Sequence, residues 1–249
     1  MYTHKIAKAV GCHPNTVRLY EQWGLIPPAK RSPNGYRIYT QEHLDQMLLA
    51  RTALNTPWPG KAIRRSGTAV VLQAAGGDLG KALEVAYQHL VLIQSEKAQA
   101  ETVADLVSHW VQGLPMAKTN RQYRIRDAAA YLQVSVDQLR NWERNGLLVV
   151  PRDPGNRYRI YGSEELSQAR VIRMLRNAGY SIMAILRMLT RIHQDDATDV
   201  KVALDTPGPE EDLPFAADNW LTTLKIMEEK ARLMIKNLEN RLSRKADGT

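Results

Sequence analysis

The chain repeats itself at an offset of 122 residues, and this repeat limits the fold more than any other feature. "NGYRIY" at 34–39 returns as "NRYRIY" at 156–161. Aligned without a gap, residues 3–65 and 125–187 share 18 identities in 63 pairs. These include Arg18/Arg140, Glu21/Glu143, Gly24/Gly146, Leu25/Leu147, Arg51/Arg173, Asn55/Asn177 and Ile63/Ile185. Unrelated segments would share only a few. The chain therefore contains a duplicated domain. Two copies are too few for a solenoid, which needs about three stacked units to bury its core.

Each copy starts as helix, short turn, helix. In "THKIAKAV", Ile6, Ala9 and Val10 fall on one helical face. Gly11 and Cys12 make a turn, Pro14 suits the first position of a second helix, and Gly24 suits the residue just past its end. In the second copy Ser135 and Gln138 form an S-x-x-Q capping box, and Gly146 closes the helix. This is a helix-turn-helix. A loop with Pro33, Asn34 and Gly35 then leads into "YRIY". Tyr36 and Ile38 alternate with Arg37 and Tyr39, as strand residues do. The alternation predicts a wing whose isoleucine packs inward while Arg37, Tyr39, Arg159 and Tyr161 face a charged partner. Two further helices complete each copy: "TQEHLDQMLLARTAL" matches "SEELSQARVIRMLRNA", and "GKAIRRSGTAVVLQAA" matches "SIMAILRMLTRI".

The net charge of +8 is unevenly spread. Residues 1–70 carry +7, 71–117 carry −3, 118–194 carry +8 and 195–249 carry −4. Basic charge confined to the two copies points to a polyanion that both touch. The single cysteine, Cys12, excludes disulfides, fits a reducing compartment and speaks against a thiolate metal site. The N-terminus lacks a signal-peptide core, and no apolar run reaches the ~18 residues of a membrane span. A cytoplasmic protein with no membrane partner is expected. The histidines show neither H-E-x-x-H nor metal spacing. "AAGGDLG" at 74–80 lacks the glycine spacing and lysine of a phosphate loop, and Asp195-Asp196 reads as a solvated helix end. No enzyme, metal or cofactor is indicated.

From Val17 to Tyr39 the pattern V-R-x-Y-E-x-x-G-L-I-P…N-G-Y-R-x-Y resembles the MerR family of bacterial transcription regulators. L-R-N-W-E-R-N-G-L-L…N-R-Y-R-I-Y is a divergent second version. The resemblance implies a long helix after each winged unit, two such helices pairing antiparallel. Heptad-like seams fit this. Leu83, Ala86, Leu90, Ile93, Lys97, Ala100, Ala104, Val107 and Val111 follow a 4-3 spacing, as do Trp220, Leu224, Met227, Ala231, Met234 and Leu238. The expected fold is mainly α: winged helix-turn-helix 1 at 1–70, a long coiled-coil helix at 78–112, a linker at 113–122, winged helix-turn-helix 2 at 123–194, an acidic Pro-rich connection at 195–216 and a second long helix at 217–244. One chain would thus form a monomeric pseudo-dimer, in preference to a homodimer with four winged units.

Residues at the start of a recognition helix reach base edges. In the first copy these are Asn15, Thr16 and Arg18; in the second, Asp137, Gln138 and Arg140. Arginine suits guanine, glutamine suits adenine, and aspartate accepts from cytosine N4. Arg37, Tyr39, Arg159 and Tyr161 on the wings would hold phosphates, as would Lys61 at a helix start. The resemblance makes the positions of Arg18 and Tyr20 mainly backbone contacts. Trp142, and Arg157 in place of the wing glycine, complete the candidate set. Trp110 and Trp220 either fill the end of the coil or wall an aromatic effector pocket. The expected partners are double-stranded DNA and RNA polymerase at a promoter whose DNA the family distorts; a small-molecule effector is left open. An excisionase-like DNA-bending factor and a ligand-sequestering protein are the alternatives.

Overall fold

The computed structural model describes residues 1–55, 60–111, 121–193, 199–207 and 218–247. The expected linker at 113–122 and the acidic connection at 195–216 lie mostly outside them. In chain order the elements are α1 (Thr3–Ala9), α2 (Pro14–Gln22), β1 (Lys30–Arg31), β2 (Arg37–Ile38), α3 (Gln41–Leu54), α4 (Lys61–Ala75) and α5 (Leu79–Val111). The second copy supplies α6 (Ile125–Leu132), α7 (Val136–Arg144), α8 (Ser163–Asn177) and α9 (Ile182–His193), followed by α10 (Val200–Asp205) and α11 (Trp220–Asp247). The chain divides into two compact units. The first joins Met1–Ser95 with Leu224–Thr249; the second is Glu96–Thr223. No helix among the described residues is long and apolar enough to cross a membrane.

In the first unit, Pro14 opens α2 and the His13 ring accepts the Asn15 N–H at 3.2 Å as its cap. Ile6, Ala7, Val17, Leu25, Ile26, Met47, Ala50, Ile63 and Val70 are buried, so α1 to α4 share one core. Two pieces of long helix belong to the same unit. The Tyr87 hydroxyl donates to Glu239 at 3.0 Å, and the Gln94 amide donates to Glu228 at 3.0 Å. Position rises along α5 as it falls along α11, so the two run in opposite directions here. Ala82, Ala86, Leu90 and Ile93 are buried on α5, and Leu224, Met227, Ala231, Met234 and Leu238 on α11. Leu83, expected in the seam, is only half-buried, and Ala82 is buried instead.

In the second unit the Ser135/Gln138 capping box forms, with bonds of 2.8 and 3.0 Å. Ala100, Ala104 and Val107, on the far half of α5, are buried in this unit, and the Tyr180 hydroxyl donates to the Ala100 carbonyl at 3.2 Å. The short α10 rests on α9: the buried Arg187 guanidinium donates to the carbonyls of Ala203 and Leu204 at 2.8 and 3.2 Å, and to that of Asp218 at 2.8 Å.

The two wings differ by one residue in register. In the first, Ser32 N–H donates to Tyr36 C=O at 2.8 Å. The second copy has Pro154 at that position, which has no N–H to donate. Asp153 makes the bond instead, to Tyr158 C=O at 2.8 Å. The turn residue needs a positive φ in both copies. Gly35 supplies +79° without cost, whereas Arg157 is held at +62°.

Candidate nucleic-acid interface

The second helices of the two copies, α2 and α7, each expose a short polar row. Asn15 and Arg18 are exposed on α2, and the Arg18 guanidinium donates to the Asn15 side chain at 3.1 Å. On α7 Arg140 bonds Asp137 at 3.2 Å, with side chains 55% and 87% exposed. Both arginines are tethered three residues back by one weak, solvated contact, which holds them over the helix start without burying them. Gln138 is exposed, but its amide oxygen already accepts the Ser135 N–H as a cap. Only its NH2 group is uncommitted for a base edge. Thr16 is half-buried.

A carboxylate on α2 and another on α7 fix the wings. Arg37 Nε donates to Glu21 at 2.6 Å, and Arg159 Nε donates to Glu143 at the same distance. Glu21 also accepts the Ala29 N–H at 3.1 Å, and Arg152 approaches Glu143 at 3.6 Å. Hydrogen bonding to Glu143 pushes the Arg159 pKa up, and the bond is made through Nε. Glu21 and Glu143 are an identical pair in the repeat, and the sequence signal for their role is a carboxylate sixteen residues before a wing arginine in both copies.

The structure corrects the expected wing alternation. Ile38 is 39% exposed, while Tyr39 and Tyr161 are 1% and 0% exposed. A strand of two residues does not hold strict alternation, and each tyrosine packs back into the core at the wing's end. Burial, then the Glu143 charge, pushes the Tyr161 pKa up to about 12. Its hydroxyl has no hydrogen-bond partner among the described residues. Tyr20 and Trp142 are likewise buried, at 8% and 4% exposure. These four rings lie beneath the polar surface rather than on it. The exposed wing rings are Tyr36 and Tyr158, at 66% and 59%.

The first copy forms an open cleft of about 740 Å³ between α2 and the wing, lined by Tyr2, Pro14, Arg18, Pro33, Tyr36 and Arg37. Tyr2 meets Tyr36 edge-on at 6.3 Å. Arg124 stands at the matching position in the second copy, with its guanidinium 5.1 Å from the Tyr158 ring. Lys61 is exposed at the first turn of α4; the second copy has exposed Met183 there. Arg157 is exposed at its turn. The two polar faces therefore share a frame and differ in charge. Trp110 is half-buried, and the buried Trp220 donates its indole N–H to the Ala178 carbonyl at 2.9 Å. No group of three metal-ligating side chains occurs among the described residues.

A family model described as "MerR HTH family regulatory protein" matches residues 1–66 and 123–192. Over 109 residues the chain is 36% identical to the HTH-type transcriptional regulator CueR of Escherichia coli O6:H1, covering 40% of this chain and 78% of that protein. It is 52% identical over 42 residues to the HTH-type transcriptional regulator ZntR homolog of Haemophilus influenzae, covering 17% of this chain and 31% of that one. A probable heavy metal-dependent transcriptional regulator of Haemophilus influenzae is 28% identical over 111 residues, covering 44% and 84%. The share of a relative that is spanned thus ranges from about a third to most of its length. No solved structure matches the chain significantly.

Proposed function

Because the chain belongs to the MerR HTH family of regulatory proteins, we propose that it is a transcription regulator binding sequence-specific sites on double-stranded DNA as a single-chain pseudo-dimer. One observation carries the pseudo-dimer reading. The helix that follows the second copy in sequence, α11, ends packed on the first copy, and the far half of α5 is packed on the second. Each copy thus already holds the end of the other's long helix, and a second chain is not needed to supply it. Pairing within one chain also avoids the translational entropy cost of association. Light scattering during size-exclusion chromatography tests this. A mass near 28 kDa is the expected result at micromolar concentration, and a stable mass of twice that rejects it.

The DNA contacts we assign are Asn15, Thr16, Arg18, Arg37 and Lys61 in the first copy, and Asp137, Gln138, Arg140, Arg157 and Arg159 in the second. The reading rows differ at Asn15/Asp137, Thr16/Gln138 and Leu19/Asn141. The selected site is therefore two unlike half-sites in one fixed orientation, and recovery of a perfect palindrome from a random DNA pool refutes that. Arg18→Ala and Arg140→Ala should each weaken binding by about 1–3 kcal/mol, with circular dichroism unchanged. Raised salt should weaken binding further as counterion release loses its advantage. Distortion of promoter DNA between the half-sites is part of the same proposal, read as enhanced chemical cleavage at the operator centre. The residues do not fit a thiolate metal sensor: the single cysteine, Cys12, lies in the turn before α2, and burial pushes its thiol pKa up, away from thiolate.

A further inference from the structure

We propose that Arg241, on α11, is a positioning residue for the first recognition helix and acts through Gln46. The proposal rests on the DNA-binding reading above. Gln46 lies on α3 and is fully buried. Its amide nitrogen donates to the Leu25 carbonyl at 2.9 Å and the Val71 carbonyl at 2.8 Å. Its amide oxygen accepts from Arg241 at 2.8 Å. Leu25 lies just past the end of α2, and its N–H closes back onto the Tyr20 carbonyl of the helix's last turn at 2.8 Å. One side chain therefore ties α11, α3 and α4 to the last turn of α2.

The arrangement admits one orientation. Both amide protons are given to carbonyls, so the oxygen must face Arg241. Arg241 is 5% exposed, and burial pushes its pKa down, although a guanidinium remains charged at any working pH. Next to it, Arg244 bonds the buried Asp45 carboxylate at 2.6 Å and pins the same end of α11 to α3. Removing Arg241 leaves the Gln46 oxygen buried and unsatisfied, a state that side chains leave by turning or shifting. Turning releases the Leu25 carbonyl and loosens the end of α2.

The second copy lacks this lock. Gln168 keeps the bond to the Leu147 carbonyl at 3.0 Å, but it makes no second side-chain bond among the described residues, and Ser167 stands where the first copy has Asp45. The Arg241 end of α11 therefore carries this lock to the reading head of the first copy and has no counterpart of it on Gln168.

The full-length chain with Arg241→Met tests this, with Arg241→Lys as a variant that keeps a donor. Without DNA, amide hydrogen exchange should quicken at least tenfold over residues 14–25 and stay unchanged over 136–147. On duplexes that the unmodified chain selects from a random pool, affinity should fall about tenfold. The lost protection should lie in the half-site that Arg18→Ala marks. Arg241→Lys should restore most of both. Exchange unchanged over 14–25, exchange raised equally in both copies, or a lysine variant as damaged as the methionine one overturns the proposal. If no duplex is selected at all, the DNA-binding reading falls, while hydrogen exchange still decides the coupling.

Discussion

Gly179→Ala should cost the second unit about 3–5 kcal/mol, close to the upper end for a single substitution. Gly179 sits just past the end of α8 with φ +97°, where an L side chain is strained. A Cβ there would lie 2.5 Å from Trp220 Nε1 and 2.8 Å from Cε2. That ring has nowhere to move: Trp220 is 6% exposed, and its N–H is bound to the Ala178 carbonyl. Overpacking a tight core costs about 1–3 kcal/mol, and losing a buried hydrogen bond costs about 1–3 more. Gly146→Ala is the control. Its φ is +73°, but its Cβ would meet only Leu186 Cδ1 at 3.7 Å, so backbone strain of about 1 kcal/mol is all it carries. Urea denaturation separates the two. Pairing Gly179→Ala with Trp220→Leu should cost less than the sum of the single changes, because both act on the same contact. Additive losses would show that the indole is not the obstacle.

Acidification should weaken the first unit through His89. This ring is 6% exposed and packs against Gly67, where a Cβ would lie 3.3 Å from its Cε1. Its Nδ1 has no hydrogen-bond partner among the described residues. It lines a cavity of about 20 Å³ with Thr52, Met227 and Lys230. Burial lowers its pKa from 6.5 to about 4. The native ring is therefore neutral where the unfolded one takes up a proton. Stability from this group is full above pH 6.5 and falls as pH drops toward 4. Between pH 7 and pH 4.5 the loss should be about 2–3 kcal/mol. Carboxylates also titrate in that window, so the decisive quantity is the difference between the unmodified chain and His89→Met. Equal acid sensitivity in the two would remove His89 as the cause.

The cavity beside His89 is built from residues that local reading could not have gathered. Thr52 and His89 come from α3 and α5, and Met227 and Lys230 from α11. The α11 pair lies more than a hundred residues from the other two in sequence, and nothing periodic links them. Arg241 and Gln46 are 195 residues apart, and the sixteen-residue step from Glu21 to Arg37 follows no local period either. Each of those side chains looks like a solvated charge or amide until the fold supplies its partner.

What the sequence determined by itself was the pair of winged helix-turn-helix units and the helical frame. Those rest on short-range physics: apolar residues three and four apart, the Ser135/Gln138 cap, Pro14 at a helix start, and glycine where φ is positive at 24 and 146. The two copies carry the same local instructions, so the repeat made them legible twice. The tertiary structure alone decided which face each ring takes and what each buried charge meets. Strand alternation placed Tyr39 and Tyr161 outward; the core beneath the wing took them in, because burying a large ring outweighs the preference of a two-residue strand. Pro154 moved a register by one residue because the missing N–H matters only where a partner carbonyl waits. Long-range partners of this kind are set by packing, and packing has no periodicity to read.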